Sequence, residues 1–227
     1  MDVKLLAHTT DPVRVVAVAA KLCYSSSSVG ELFDGLDEAG VDRLLSILRE
    51  SGHMSPYEHA SFTYAVEGVS RVATHQLVRH RIASYSQRSQ RYVSMDGTAC
   101  VIPPEVESVA EARAIFDECV RNASDAYRRM TALGVPGEDA RFILPHGWET
   151  AIVITMNARE LRHFFGLRLC RRAQWEIREV ARHMLVAAYG AAKELFISAG
   201  PSCVTGVCAE RDSCGKPFDN TEDIMKQ

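Results

Sequence analysis

The sequence predicts an α+β fold, a single domain in which a few short strands support long helices. Three observations carry that reading. Apolar residues alternate with polar ones in short runs, as at Phe62, Tyr64 and Val66, the two-residue period of a half-buried strand. Elsewhere they recur at helical spacing, most extensively over residues 104–133. The 227 residues are 47% hydrophobic, which is enough to bury a core in one large domain.

The elements follow in order. Residues 3–7 read as a strand and 12–22 as a helix with Pro12 in its first turn. A second helix is expected over 41–49, where Leu44, Leu45 and Leu48 share a face and Gly52 ends it. Residues 61–66 form the alternating strand. Past Gly68, Val72, Leu77 and Val78 fall at helical spacing over 71–79, which puts Arg79, His80 and Arg81 at or just beyond a helix C-terminus. One long amphipathic helix is expected over 104–133, bearing Val109, Ala112, Ile115, Phe116, Cys119, Val120 and Ala123 and stopped by Gly134. A short helix opens at Gly137 and closes at Pro145. Residues 151–156 are apolar and β-branched and read as a buried strand. Asn157 caps a helix to Phe165, Gly166 breaks it, and a last helix covers about 172–198, with Trp175 as core packing. There is no internal repeat and no low-complexity tract.

Charge is distributed unevenly. Between Glu67 and Asp96 there is no acidic residue, yet the segment holds Arg71, His75, Arg79, His80, Arg81, Arg88 and Arg91. Guanidinium groups interleaved with Ser, Gln and Tyr suit a phosphate or a flat polar heterocycle; a solvated basic surface is the bland alternative. The whole chain carries 26 Lys and Arg against 29 Asp and Glu, a formal charge of -3 and a pI near 6.2. A duplex-binding domain is usually basic overall, so the local charge fits a small anionic ligand better than nucleic acid. No Gly-x-Gly-x-x-Gly, P-loop, His-Glu-x-x-His or Gly-x-Ser-x-Gly motif occurs, so a phosphate must be held by side chains and helix ends.

Ser89, between Arg88 and Arg91, reads as a phosphate-binding hydroxyl in preference to a nucleophile, because an activated serine needs a base in reach. His80, flanked by two arginines, has its charged form disfavoured and suits a neutral hydrogen-bonding role. A second cluster runs from Asn157 to Arg168, with Arg159 and His163 at i and i+4 on one helix face. Pairing with Glu160 and solvent explains Arg162 well and Arg168, beyond Gly166, less well.

The segment Arg79-His80-Arg81, with seven residues between it and Ser89, resembles the signature of the flavin-dependent thymidylate synthases (ThyX family). Four further blocks resemble that family in order: Gly52 to His59, Ala140-Arg141 before Leu144-Pro145, Asn157-Ala158-Arg159, and Leu167-Arg168 before Ala173-Gln174-Trp175-Glu176. Together they span about residues 40–185. The resemblance implies a mixed or antiparallel sheet flanked by long helices. It implies methylation of dUMP to dTMP with FAD as redox cofactor, NADPH as reductant and 5,10-methylenetetrahydrofolate as carbon donor, in a homotetramer whose sites form at subunit junctions. Ser55, Arg79, His80, Arg81, Gln87, Asn157, Arg159 and His163 match the family's FAD positions. Gln76, Arg79, Gln87, Arg88, Ser89, Gln90, Arg91, Arg141 and Arg168 match its dUMP positions, and Arg168 matches the residue that activates the uracil. His53 and Glu58 belong to a resembling block, His53 either lining the folate and NADPH approach or serving a structural role.

Residues 1–199 are therefore expected to form the catalytic domain, and 200–227 a cysteine-bearing tail. Seven cysteines, an odd number, show no disulfide framework. Charged residues interrupt the N-terminal apolar positions, and no apolar run crosses a bilayer, so the expected setting is cytoplasmic, with neither membrane nor nucleic acid as partner. Cys203, Cys208 and Cys214, with Cys170 as a possible fourth, have the count for a tetrahedral metal site. Their spacing fits no standard knuckle, so they are read as free thiols and no metal is assigned.

Overall fold

The structure, a computed structural model, describes residues 1–226. The elements run β1 (Asp2–His8), α1 (Pro12–Leu22), α2 (Val29–Gly35), α3 (Glu38–Ser51), β2 (Ser61–Ser70), α4 (Arg71–Leu77), β3 (Ala83–Gln87), α5 (Pro104–Glu107), α6 (Ala110–Ala132), α7 (Gly137–Ala140), β4 (Glu149–Asn157), α8 (Ala158–Arg168), α9 (Trp175–Phe196) and α10 (Thr221–Met225). The strands form one antiparallel sheet in the order β1-β2-β4-β3. This is the α+β class expected. No helix among the described residues is long and apolar enough to cross a membrane.

Contacts divide the chain into two compact units. One comprises residues 1–2, 66–79 and 86–152, and the other 3–65, 80–85 and 153–226. The second holds the larger core. Alternation in β2 sends Phe62 and Tyr64 inward, fully buried, while Phe164, Phe165 and Phe196 arrive from α8 and α9. Phe196 meets both Phe62 and Phe165 edge-on, at 5.3 and 5.9 Å between ring centres, the geometry aromatic quadrupoles favour. In the first unit Met95, Tyr127, Ala140, Leu144 and Trp148 form a separate cluster, and the Tyr127 hydroxyl accepts from the Met95 amide at 3.3 Å.

Several helix ends are set by their caps. The Asn157 side chain accepts from the Glu160 amide at 2.9 Å and so starts α8 where the sequence places it. α8 then continues through Gly166 to Arg168, against the expected break, because one glycine costs a helix only about 1 kcal/mol. As a result Arg168 sits in the last turn of α8.

Other elements depart from the sequence expectation. Residues 104–133 are two helices, parted at Ser108 and Val109, where Val109 adopts extended dihedrals. The apolar stripe of α6 is only half-buried: Ala112, Phe116, Val120 and Ala123 are partly covered, Ile115 is 58% exposed, and Tyr127 is the only buried residue of that helix. The segment before α3 contains α2, whose Ser28 and Glu31 form a reciprocal capping box. The edge strand β3 emerges from the basic segment, which carried no strand assignment. Trp175, read as core, is only half-buried at the start of α9.

Candidate active site

In the second unit the site is built around His80, which follows α4 and is only 4% exposed. Arg168 Nε donates to His80 Nε2 at 3.1 Å. A guanidinium N–H can only donate, so Nε2 is the unprotonated nitrogen and Nδ1 carries the hydrogen. Nδ1 then donates to Glu160 Oε1 at 3.3 Å. The Tyr85 hydroxyl donates to the His80 carbonyl oxygen at 2.8 Å, and Phe164 presents its ring edge-on to the imidazole at 4.9 Å.

Burial, then the Arg168 charge, then His163 push the His80 imidazole down to about 4. The His80–Glu160 contact is therefore a neutral hydrogen bond and not an ion pair, in line with the role expected for His80. The sequence points to the flanking arginines as the cause; the structure puts desolvation first. Burial raises the Glu160 carboxyl above its ordinary range, and His163 opposes that shift. Desolvation and Glu160 likewise raise the Tyr85 phenol.

Beside this relay lies an open hollow lined by Glu58, Ile82, Asn157, Arg159, Glu160 and His163. Arg159 pairs with Glu58 across it, so the partner of Arg159 is Glu58 and not the adjacent Glu160. Ser55 is exposed at the start of the 3-10 helix Ser55–His59, and Arg81 is exposed beside Ile82, which is itself 67% exposed. Arg81 has no carboxylate partner among the described residues. His53, just past α3, is exposed and outside the hollow.

Arg162 departs from its expected role. Its Nη1 donates to the carbonyls of Leu195 and Ile197 at 2.8 and 2.9 Å, and its guanidinium lies over the Tyr57 ring at 5.8 Å. It ties the C-terminal end of α9 instead of facing solvent.

In the first unit, α4 begins at Ser70, whose hydroxyl accepts from the Ala73 amide at 3.1 Å. A second hollow is lined by Arg71, Thr74, His75, Val78, Gln87 and His146. Gln87 Nε2 donates to Thr74 Oγ1 at 3.0 Å and more loosely to Thr150 Oγ1 at 3.4 Å. Arg71 Nη1 is buried without a hydrogen-bond partner, and burial followed by the Arg141 charge lowers that guanidinium's proton affinity. Gln76 is half-buried on α4, Arg79 is exposed after it, and Gln90 is buried.

Carboxylates remote in sequence reach the arginines of this unit. Glu138 pairs with Arg91 at 2.8 Å and its backbone carbonyl accepts from Arg141 Nε at 3.0 Å. Glu67 stands 3.9 Å from Arg88. Ser89 Oγ accepts from the Arg91 amide at 3.2 Å, and no His or Lys among the described residues bonds to it. Sequence reasoning did not single out Glu160, Tyr85 or Glu138 as site residues; for Glu160 the signal was its place three residues after the Asn157 cap.

Residues 4–192 match the family described as Thymidylate synthase complementing protein. The "Flavin-dependent thymidylate synthase" of Geobacter sulfurreducens is 52% identical over 219 residues, covering 95% of this chain and 94% of that protein. The protein of the same name from Pyrococcus furiosus is 43% identical, covering 92% and 90%. Among solved structures, a UMP/dUMP methylase, PolB, from Streptomyces cacaoi, bound with 5-Br dUMP, is similar at a TM-score of 0.75 and 26% identity, covering 86% of this chain and 92% of that one. On this similarity across nearly its whole length, and on the five ordered motif blocks, the chain belongs to the flavin-dependent thymidylate synthase family.

Proposed function

We propose that this chain converts dUMP to dTMP by reductive methylation, with FAD as cofactor, NADPH as reductant and 5,10-methylenetetrahydrofolate as carbon donor. The observation that carries the reading is the Arg168–His80–Glu160 relay. A neutral, buried histidine occupies only the Nε of Arg168, so both Nη nitrogens remain available to a ligand. The name of the Streptomyces cacaoi methylase, and the dUMP analogue it holds, support dUMP as substrate.

The donor set fits a flavin. Asn157, Arg159 and His163 offer polar groups around a hollow also lined by the exposed apolar Ile82 and by Glu58 and Glu160, a mix of apolar surface and hydrogen-bonding groups that suits a flat heterocycle. Ser55, Arg79, His80, Arg81 and Gln87 complete the proposed flavin set. FAD, when bound, would supply the redox chemistry, and the folate the carbon.

The chain supplies orientation and charge. Arg168 stabilises negative charge on the uracil at N3 and its adjacent carbonyl, which polarises the ring without a protein nucleophile. His80 holds Arg168 through Nε and stays uncharged, so it does not repel the guanidinium. Gln76, Arg79, Gln87, Arg88, Ser89, Gln90, Arg91 and Arg141 bind the nucleotide, with the phosphate near Ser89 and Arg91. For Arg91 this means sharing or exchanging Glu138 for the phosphate, and a charged acceptor of greater negative charge favours the exchange.

The assembly is proposed to be a homotetramer in the cytoplasm with sites at subunit junctions, and neither membrane nor nucleic acid as partner. The half-covered apolar stripe of α6, with Ile115 exposed, supports it. Residues 1–199 are the proposed catalytic domain, with 200–227 as its appendage. The deciding experiment is the visible spectrum of the purified protein, before and after anaerobic addition of NADPH and dUMP, followed by assay of dTMP with the folate present. A flavin band that bleaches, with dUMP-dependent dTMP formation, is expected. A protein that takes up no flavin on reconstitution with FAD would refute the reading.

A further inference from the structure

The tail holds a feature the proposed reaction does not use. Cys170, which follows the end of α8, and Cys203, Cys208 and Cys214 of the tail all line one cavity, together with Arg171 and Lys216. Four of the seven cysteines thus face a single space, the same four whose count suits a tetrahedral site although their spacing in sequence fits no standard knuckle. We propose that these four cysteines form a thiolate centre for a soft metal, zinc or an iron–sulfur cluster, which fastens the tail to the end of α8.

Several observations point the same way. The four thiols are not core filler: Cys170, Cys203 and Cys208 are half-buried and Cys214 is exposed, whereas a cysteine used for packing is usually buried outright. Arg171, Arg172 and Lys216 border the cavity against the single carboxylate of Glu210, a surplus of positive charge that offsets the negative charge of a tetrathiolate centre. The tail is also held in place around the cavity. Arg171 Nε donates to the Lys216 carbonyl at 2.9 Å, and its guanidinium lies 4.1 Å from the centre of the buried Phe218 ring. Arg172 bonds the Asp212 carbonyl, and the Thr221 hydroxyl donates to the Ala199 carbonyl at 2.9 Å.

Between these ties, residues 205–217 contain no helix or strand and bury no side chain. A segment with so little core of its own gains order chiefly from cross-links, and metal ligation is one. Among the described residues, the only group of three ligand atoms within 4.8 Å of one another is that of His80, Glu160 and His163. The sulfurs therefore surround the cavity at wider spacing than one zinc ion demands. Zinc would draw the 205–217 segment inward, while a four-iron cluster spans wider sulfur separations. Ligation itself moves no electrons: each thiol releases its proton to solvent as its sulfur takes the metal.

The test is elemental analysis of the full-length protein, purified anaerobically without an affinity tag that binds metal. A single zinc ion per chain, or iron with matching acid-labile sulfide, supports the centre and tells the two forms apart. The double variant Cys208→Ser/Cys214→Ser should lose at least about tenfold in bound metal, as removal of thiolate ligands does, while Cys119→Ser on α6 keeps it. Because the double variant can fail to fold, the wild-type chain is also stripped, reduced and titrated with cobalt(II). Thiolate-to-cobalt charge-transfer absorption that saturates at one equivalent is expected. Absence of both stoichiometric metal and those bands overturns the proposal, and a folded double variant that retains its metal overturns the ligand assignment.

Discussion

Arg168 Nε donates to His80 Nε2 at 3.1 Å, and the bond runs between the last turn of α8 and the segment that follows α4. It fixes the histidine as the Nδ1–H tautomer, which lets His80 donate to Glu160. The Glu160 amide in turn donates to the Asn157 cap, so the carboxyl group that accepts from His80 stands in the first turn of the helix whose last turn carries Arg168. A metal ligand's imidazole is often aimed through its second nitrogen; here the same device aims a guanidinium.

Replacing Arg168 by Lys should reduce single-turnover dTMP formation by roughly two to three orders of magnitude, the usual cost of one preorganised charge donor. Lysine keeps the charge but loses the planar fork, and one ammonium cannot serve His80 and a uracil edge with fixed geometry. Flavin content should stay close to that of the wild type. Unchanged turnover in Arg168→Lys would remove the arginine from the proposed mechanism.

Ser89 accepts from the Arg91 amide, and no His or Lys among the described residues bonds to it. The Ser89→Ala variant should therefore bind dUMP about tenfold more weakly, the loss of one or two hydrogen bonds to an anion, and still turn over. Titration of dUMP against flavin fluorescence, with kcat measured at saturation, separates the two quantities. Normal affinity with no turnover would assign the serine a covalent role instead.

Much of this was legible in the sequence, and what was not shares one physical cause. The Asn157 cap, the strand alternation of β2 and the position of Arg79 to Arg81 beyond α4 follow from local chemistry, and each stands where expected. The relay depends on a partner 80 residues away, since His80 meets Glu160 only through the fold. Arg91 and Glu138 are likewise 47 residues apart, so a segment devoid of acidic residues in sequence is not devoid of them in space. Arg162 looks like a solvent-facing helix arginine until its acceptors at Leu195 and Ile197 are in place. The apolar period of 104–133 is real, but period alone does not say how fully the stripe meets a core, and here it is only half-covered.

The neutral His80 predicts a pH dependence of stability. Folding holds its pKa at about 4 against an ordinary value of 6.5. As pH falls, the unfolded chain takes up that proton first, so the histidine's contribution is complete above 6.5 and is lost progressively between 6.5 and 4. Glu160, raised above its ordinary 4.5, works in the opposite direction, because its proton binds the folded chain first. The comparison that isolates His80 is therefore a variant: Tm of the wild type should fall more steeply over that window than Tm of His80→Asn. Parallel profiles would mean that the imidazole is already charged in the folded protein.

Arg162 offers a test of architecture separate from chemistry. Its Nη1 satisfies two carbonyls at the end of α9, and desolvation lowers its proton affinity, with Tyr57 opposing and Arg49 reinforcing that shift. In Arg162→Met an unbranched apolar stem of similar length is kept, while the guanidinium over the Tyr57 ring is lost and the Leu195 and Ile197 carbonyls lose their donor. The cost should be about 3 kcal/mol, the sum expected for charged hydrogen bonds whose buried acceptors go unpaired. A urea melt would show this as a lower midpoint at unchanged slope. Turnover per flavin-loaded chain should hold, because Arg162 lines neither hollow. A variant as stable as the wild type would mean that the end of α9 is secured by other contacts, among them the 3.2 Å bond from Arg49 Nη1 to the Glu194 carbonyl.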